Sequence, residues 1–284
     1  KILETVDGKQ SVEFVDGPIT WSNELVNHVI EFKVSKPGVL SKEMADQFYT
    51  AMQKCNVIAD RFSALLLPTG AHPFMDPKTQ TQLWPGKYHE HYLAYHTVFN
   101  CYTHGFANLQ SVHINIPFNT EAEFARLLAG IRLVLPLIPA LAASSPFLEG
   151  KNAGFIDSRL EVYRTNQKKV ASITGKIIPE QIYDFASYQA MLKGMYTDIA
   201  PYDKERILQT EQLNSRGCIA RFDRNTLEIR LIDAQESPVV DIAVASAVVF
   251  ILNELVLERW MPFEAQKIVS TDELYEILTA AIKD

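Results

Sequence analysis

Three stretches of this chain alternate apolar and polar residues in the same way, and a chain that repeats this pattern builds sheet with one packed face and one chemically rich face. In LEIRLIDAQ, Leu227, Ile229 and Leu231 alternate with Glu228 and Arg230. In NLQSVHINIPF, Val112, Ile114 and Ile116 share one face, and Ser111, His113 and Asn115 the other. In LVNHVIEFKV, Val26, Ile30, Phe32 and Val34 fall with His28, opposite Asn27, Val29, Glu31 and Lys33. A lone strand of this kind is most simply a solvated face with an ion pair. Three such strands place Glu31, His113 and Glu228 in a common phase.

Helical spacing supplies the packing layer. Ser41 caps a helix on which Met44, Phe48, Met52, Cys55, Ala59, Phe62 and Leu66 recur. Thr120 and Glu123 form a capping box for a helix from Glu121 to about Leu135, which Pro136 ends or kinks. Ser237 and Pro238 open a long buried helix, and Ser270 with Glu273 caps a C-terminal helix with the stripe Leu274, Ile277, Leu278 and Ala281. Asp16-Gly17 marks an early turn, and SSPFLEGKNAGFIDSRLEVYR reads as a loop-rich middle. The apolar runs Leu127–Ala143 and Val239–Leu257 are interrupted by Arg132, Pro136 and Pro139, and by Asp241 and Asn253, so both are expected as core helices. With 284 residues, 47% of them hydrophobic, the chain can bury a full core as one large domain or two small ones.

A net charge of -7 and scattered Lys and Arg residues exclude a basic field for nucleic acid. Cys55, Cys101 and Cys218 have neither metal spacing nor an even count, which fits reduced thiols and a cytoplasmic setting without a membrane. Glycine-rich phosphate loops and a Gly-x-Ser-x-Gly elbow are absent from the sequence. His89, His91 and His96 are expected on an aromatic packing helix, because no acid or Cys set completes them.

The polar residues favour oxygen-rich chemistry. If the hairpin CIARFDRNTLEIRLID pairs Phe222 with Leu227 and Arg221 with Glu228, then Arg221, Glu228 and Arg230 share one face. Two arginines beside one glutamate would suit an anionic ligand if that face is buried. Carboxylates with one imidazole suit Mg²⁺ or Mn²⁺ better than a Cys-based zinc site.

The stretches PTGAHPF, NLQSVHINIP, LAASSPFLEGKNAGFIDSR and LEIRLIDAQ, in that order, resemble the carboxylate-amine ligases of the bacterial glutamate–cysteine ligase type, relatives of glutamine synthetase and guanidino kinases. The resemblance runs from about Trp21 to the C-terminal helix. It implies one α+β domain over residues 1–284, glutamine synthetase-like, with a curved, mainly antiparallel sheet, helices on its convex face, and a concave face that holds ATP and Mg²⁺ or Mn²⁺. By the same resemblance Glu31, His113 and Glu228 match metal-binding positions, Arg230 a phosphate-contacting arginine, and Arg159 an arginine of the acyl-acceptor and phosphate region. Arg164, Tyr163 and Arg221 are added from geometry and proximity in sequence. The implied reaction joins a small carboxylate to an amine, as in glutathione biosynthesis. The loop from Phe147 to Arg164 is expected to border the same cavity and to be more mobile than the strands. A Gly-x-Glu-x-Glu strand that opens such proteins has only a partial echo in Ser11-Val12-Glu13-Phe14, and the non-Met start points to a chain lacking that strand. A non-catalytic nucleotide or amino-acid binding protein on the same fold is the alternative, and either could be oligomeric.

Overall fold

Phe14, Trp21 and Phe32 interlock edge to face across three short antiparallel strands, β1 (Glu13–Asp16), β2 (Ile19–Asn23) and β3 (Ile30–Val34). The computed structural model describes residues 2–7 and 12–283, so Ser11 lies outside the described residues. Strand β3 begins only at Ile30, because residues 25–29 turn away: Val26 bridges Leu83, and the His28 ring nitrogen Nε2 lies 2.8 Å from the Ala107 carbonyl. From Ile30 onward the alternation holds, with Ile30, Phe32 and Val34 on the packed side of the cluster around Trp21.

A second antiparallel sheet has the order β4 (Ser111–Pro117), β8 (Thr226–Asp233), β7 (Cys218–Arg221). A hairpin of β5 (Phe147–Leu148) and β6 (Lys151–Asn152) stands apart. The α+β organisation is therefore as expected, but among the described residues the strands form three small antiparallel sheets instead of one curved one.

The β7–β8 register also differs. Ala220 faces Leu227 and Arg221 faces Thr226, with Asn225 at φ 52° in the turn. The slip is two residues, and because side chains alternate with a period of two, every face is preserved. Arg221 still reaches Glu228, now diagonally, at 2.9 Å.

Between β4 and β8 the pairing steps from Val112↔Ile232 to Ile114↔Ile229, so Arg230 and Leu231 together oppose the single residue His113. This is a β-bulge, and it changes the phase of β8. Asp233 consequently faces Ser111, on the polar side, where strict alternation from Leu227 would have put it on the apolar side.

The apolar faces meet a helical layer. In chain order the helices are α1 (Ile2–Asp7), α2 (Lys42–Asp60), α3 (Pro77–Gln80), α4 (His89–Phe99), α5 (His104–Ala107), α6 (Glu121–Val134) and α7 (Ile138–Ala142). They continue with α8 (Ser158–Tyr163), α9 (Phe185–Ile199), α10 (Pro238–Val256), α11 (Phe263–Ile268) and α12 (Thr271–Lys283). Leu227 and Ile229 of β8 bury completely in a core with Phe124, Leu128 and Ile131 of α6. Three of the predicted caps form, with Ser41, Thr120 and Ser270 each accepting a backbone N–H from the residue three positions on, whereas Ser237 takes the N-cap position of α10 with no side-chain cap bond and with Pro238, which has no N–H, at the next position. Pro136 converts the end of α6 into one 3₁₀ turn, after which α7 follows.

Both apolar runs are helical and long enough to cross a bilayer. The first is a core element, with its buried Arg132 donating to the Pro179 and Val269 carbonyls. The second departs from expectation, because α10 is not buried all round. Val239, Ala243, Ala247, Phe250 and Leu257 lie open along one side of it. In α12, Ile282 takes the buried place expected of Ile277, which is half exposed. The segment read as a loop over 144–164 instead contains the β5–β6 hairpin, whose turn needs Glu149 and Gly150 at positive φ, and helix α8.

Candidate functional site

Glu228 sits at the centre of the polar face and is 5% exposed. Its carboxylate accepts from Arg221 at 2.9 Å, lies 3.1 Å from Arg230 Nε, and lies 3.6 Å from His113 Nδ1. Burial works to raise this carboxyl, but Arg230, His113 and Arg221 together hold it below the ordinary carboxylate value. His113 is pushed down to about 4 by its enclosure and by the Arg230 charge, against the pull of Glu228 and Glu31. At neutral pH the imidazole is therefore uncharged, and its contact with Glu228 is not an ion pair. A third of the His113 side chain remains open to solvent.

Glu31 joins this neighbourhood from the other sheet. It accepts from Ser22 Oγ at 2.6 Å, lies 3.5 Å from Lys33 Nζ, and its charge acts on both His113 and Glu24. Glu24 is the site residue that sequence reasoning missed. It follows β2 in the turn, and alternation says nothing about turn residues. Burial, then Glu31, raises its carboxyl to about 7, with Arg230 and Lys33 opposing. Tyr95 of α4 was missed too, since that helix reads as aromatic packing; burial drives its phenol up, and Arg230 is the opposing charge. Tyr163 closes the group: its hydroxyl is buried without a hydrogen-bond partner, and it lies within electrostatic range of Arg230.

The structure thus brings Glu31, His113, Tyr163, Arg221, Glu228 and Arg230 into one neighbourhood. Arg164 is not among them, because its guanidinium is drawn to Glu161 and to the Tyr275 hydroxyl at 2.8 Å. Arg159 is 2% exposed, with Nε bonded to Asp233 and Nη2 to the Leu231 carbonyl, so it forms part of the wall. His89, His91 and His96 pack against aromatic rings and backbone, as expected.

Among the described residues no three His, Cys, Asp or Glu side chains are drawn together as a metal set. The donor types nevertheless fit a hard divalent cation. An ionised Glu228 and a neutral His113 stand side by side, and Glu31 and Glu24 supply further carboxylates.

Two expectations follow from these environments. The Glu24 carboxyl is higher in the folded chain than its ordinary value of 4.5, so its stabilising contribution is full below 4.5 and fades as pH rises through about 7. Glu24→Gln should remove that decline, a difference of about 3 kcal/mol between the two ends, seen by comparing urea melts of both proteins from acid to neutral pH. A slope equal in the two proteins would refute the assignment. Gly70 lies against Asp233, and a Cβ there would stand 2.3 Å from the buried carboxylate. Gly70→Ala should therefore cost about 2–3 kcal/mol, read as a lowered melting temperature, and an unchanged melt would show that the loop can move aside.

Comparison with known proteins places this geometry in a lineage. An uncharacterized protein of Archaeoglobus fulgidus is 35% identical over 253 residues, 89% of this chain and 68% of that protein. A Nocardioides sp. protein provisionally named glutamate–cysteine ligase 2-1 is 26% identical over 149 residues, 52% of this chain and 35% of its own length. The chloroplastic glutamate–cysteine ligase of Brassica juncea is 30% identical over 97 residues, 31% of this chain and 19% of that protein. The alignments with these last two proteins thus take in about a third and a fifth of their lengths. The model of glutamate-cysteine ligase family 2 matches residues 8–279, nearly the whole chain, and lies across every strand of the candidate site: this chain belongs to that family.

Proposed function

We propose that the chain catalyses ATP-dependent joining of an amino-acid carboxylate to an amine, with glutamate and cysteine as the first substrates to test. The observation that carries this reading is Glu228, held ionised among Arg221, Arg230 and a neutral His113 at the centre of a polar face, in a member of this family. In the proposed reaction a carboxylate oxygen attacks the γ-phosphorus of ATP, the bond to the β-phosphate oxygen breaks, and ADP leaves. The amine nitrogen then attacks the acyl carbon, phosphate departs with the former carboxylate oxygen, and the amine proton is lost to solvent or a base.

Arg230 is the residue placed to meet the transferring phosphoryl group. Its side chain is 24% exposed and is held by Glu228 at Nε and by the Asn214 carbonyl at one Nη, which leaves the other Nη to face a ligand. The Tyr163 hydroxyl, with no protein partner, offers a donor beside it. Glu228, His113 and Glu31 would hold Mg²⁺ or Mn²⁺, with Glu24 within reach of the same charge. When bound, that cation neutralises phosphate charge. The protein's own part is positioning and charge: it orients Arg230, keeps His113 unprotonated and holds the carboxylates ready.

The test is ADP release with Mg²⁺, ATP and single or pooled amino acids. Amino-acid-dependent release, with the amide product identified by mass spectrometry, supports the ligase. Saturable ATP·Mg²⁺ binding without any release would instead leave a non-catalytic binding protein.

A further inference from the structure

The sequence stretches that carry the family resemblance do not all end at the centre of the site. Parts of PTGAHPF, LAASSPF, GFIDSR and LIDAQ converge on one buried carboxylate, Asp233, which is completely inaccessible to solvent. Its Oδ1 accepts from Arg159 Nε. Its Oδ2 accepts from the Ser144 N–H at 2.9 Å and from Ser145 Oγ at 2.8 Å. Ser144 Oγ in turn accepts from the Gly70 N–H at 2.8 Å and donates to the Ala234 carbonyl, while Ser145 Oγ accepts from the Arg159 N–H at 3.1 Å. Asp157, whose Oδ1 caps α8 by accepting from the Leu160 N–H, lies in the same buried group.

This arrangement has a geometric consequence. The bulge opposite His113 turns Asp233 to the polar side of β8, the side that carries Glu228 and Arg230. Arg159 stands in the first turn of α8, and Tyr163, the last residue of the same helix, lies within electrostatic range of Arg230. Arg159 and Tyr163 are four residues apart, so they share one face of α8 about one turn from each other, and the bond that seats Arg159 bears on the placement of Tyr163.

We infer that Asp233 is a positioning residue: through Arg159 it seats α8 on the polar face and so sets where Tyr163 stands against Arg230. Arg159 then acts through Asp233 and not on the substrate. The inference rests on the ligase reading for its kinetic consequence, but its structural content stands apart from that reading.

The experiment compares wild type with Asp233→Asn, Arg159→Lys and Ser145→Ala. Arg159→Lys keeps a charge beside Asp233 while losing the bond to the Leu231 carbonyl, and it keeps the question open should Asp233→Asn fail to fold. Positioning predicts that Arg159→Lys lowers kcat for ADP release by about 100-fold while KM for ATP and for the amino acid moves by no more than about threefold. It also predicts faster amide hydrogen exchange confined to residues 158–163, with β8 and α10 unchanged. A KM rise at constant kcat would put Arg159 on the substrate and overturn the inference. So would wild-type kcat in Arg159→Lys, or exchange that rises equally throughout the chain. If wild type releases no ADP with any amino acid, the ligase reading fails, and exchange alone decides the positioning role by whether its change is local to α8.

Discussion

Glu228→Gln is expected to lower amino-acid-dependent ADP release by on the order of a thousandfold while the chain remains folded. The glutamine keeps the size of the side chain and an acceptor for Arg221, but it removes the charge that stands among Arg221, Arg230 and His113. Both Glu228 and Arg221 are buried, so this pair is not the exposed ion pair that the strand alone would suggest. Its loss should cost roughly 1.5–3 kcal/mol of stability, more than a surface pair would. The sign with pH is opposite to that of Glu24. The Glu228 value is lowered on folding, so its contribution is present above the ordinary carboxylate value of 4.5 and disappears as pH falls through the lowered one. Melting alone therefore does not separate a structural from a functional role. Titrating Mn²⁺ in the presence of ATP does: equal affinity and equal turnover in wild type and Glu228→Gln would reduce Glu228 to a counter-ion for its arginines.

Arg230→Lys is the second large effect. The arginine spends Nε on Glu228 and one Nη on the Asn214 carbonyl at 3.4 Å, and its side chain remains partly open. Lysine preserves the charge but not the planar fork, so it cannot hold Glu228 and a phosphoryl oxygen at once. Turnover is expected to fall by on the order of 10³-fold, with ATP binding weakened much less, because the group is proposed to act on the charge that develops during transfer. Stability should barely change. Steady-state kinetics with circular dichroism on the same samples gives the answer, and a kcat within about threefold of wild type would remove Arg230 from the phosphoryl-contacting role.

Much of the polar face was legible in the residues. His113, Glu228 and Arg230 share one sheet face as their alternation implied, because alternation is a property of extended backbone and survives even a two-residue slip in register, whereas Glu31 stands on a separate sheet and comes near His113 only through tertiary packing. The caps at Ser41, Thr120 and Ser270 were legible for the same kind of reason: a side-chain oxygen three residues before a free N–H is a local arrangement. The middle segment was not. Gly150 marks a turn in any reading, but whether the flanking residues pair as a hairpin depends on contacts such as the Gly150 N–H on the Pro73 carbonyl, about eighty positions away.

What the sequence determined by itself was the phase of each strand, the residue types on its polar side and the places where helices start. All of these follow from backbone sterics and from hydrogen bonds within a few residues. Only the tertiary structure decided which charges meet. The bulge at His113 carried Asp233 to the polar side, where it captured Arg159 for the wall. Glu161 and Tyr275 drew Arg164 away from the site. Enclosure raised the Glu24 carboxyl in a turn that no periodicity marks. A side chain's charge state and partners are set by the sum of burial and Coulomb effects from neighbours distant in the chain, and that sum exists only once the chain has folded.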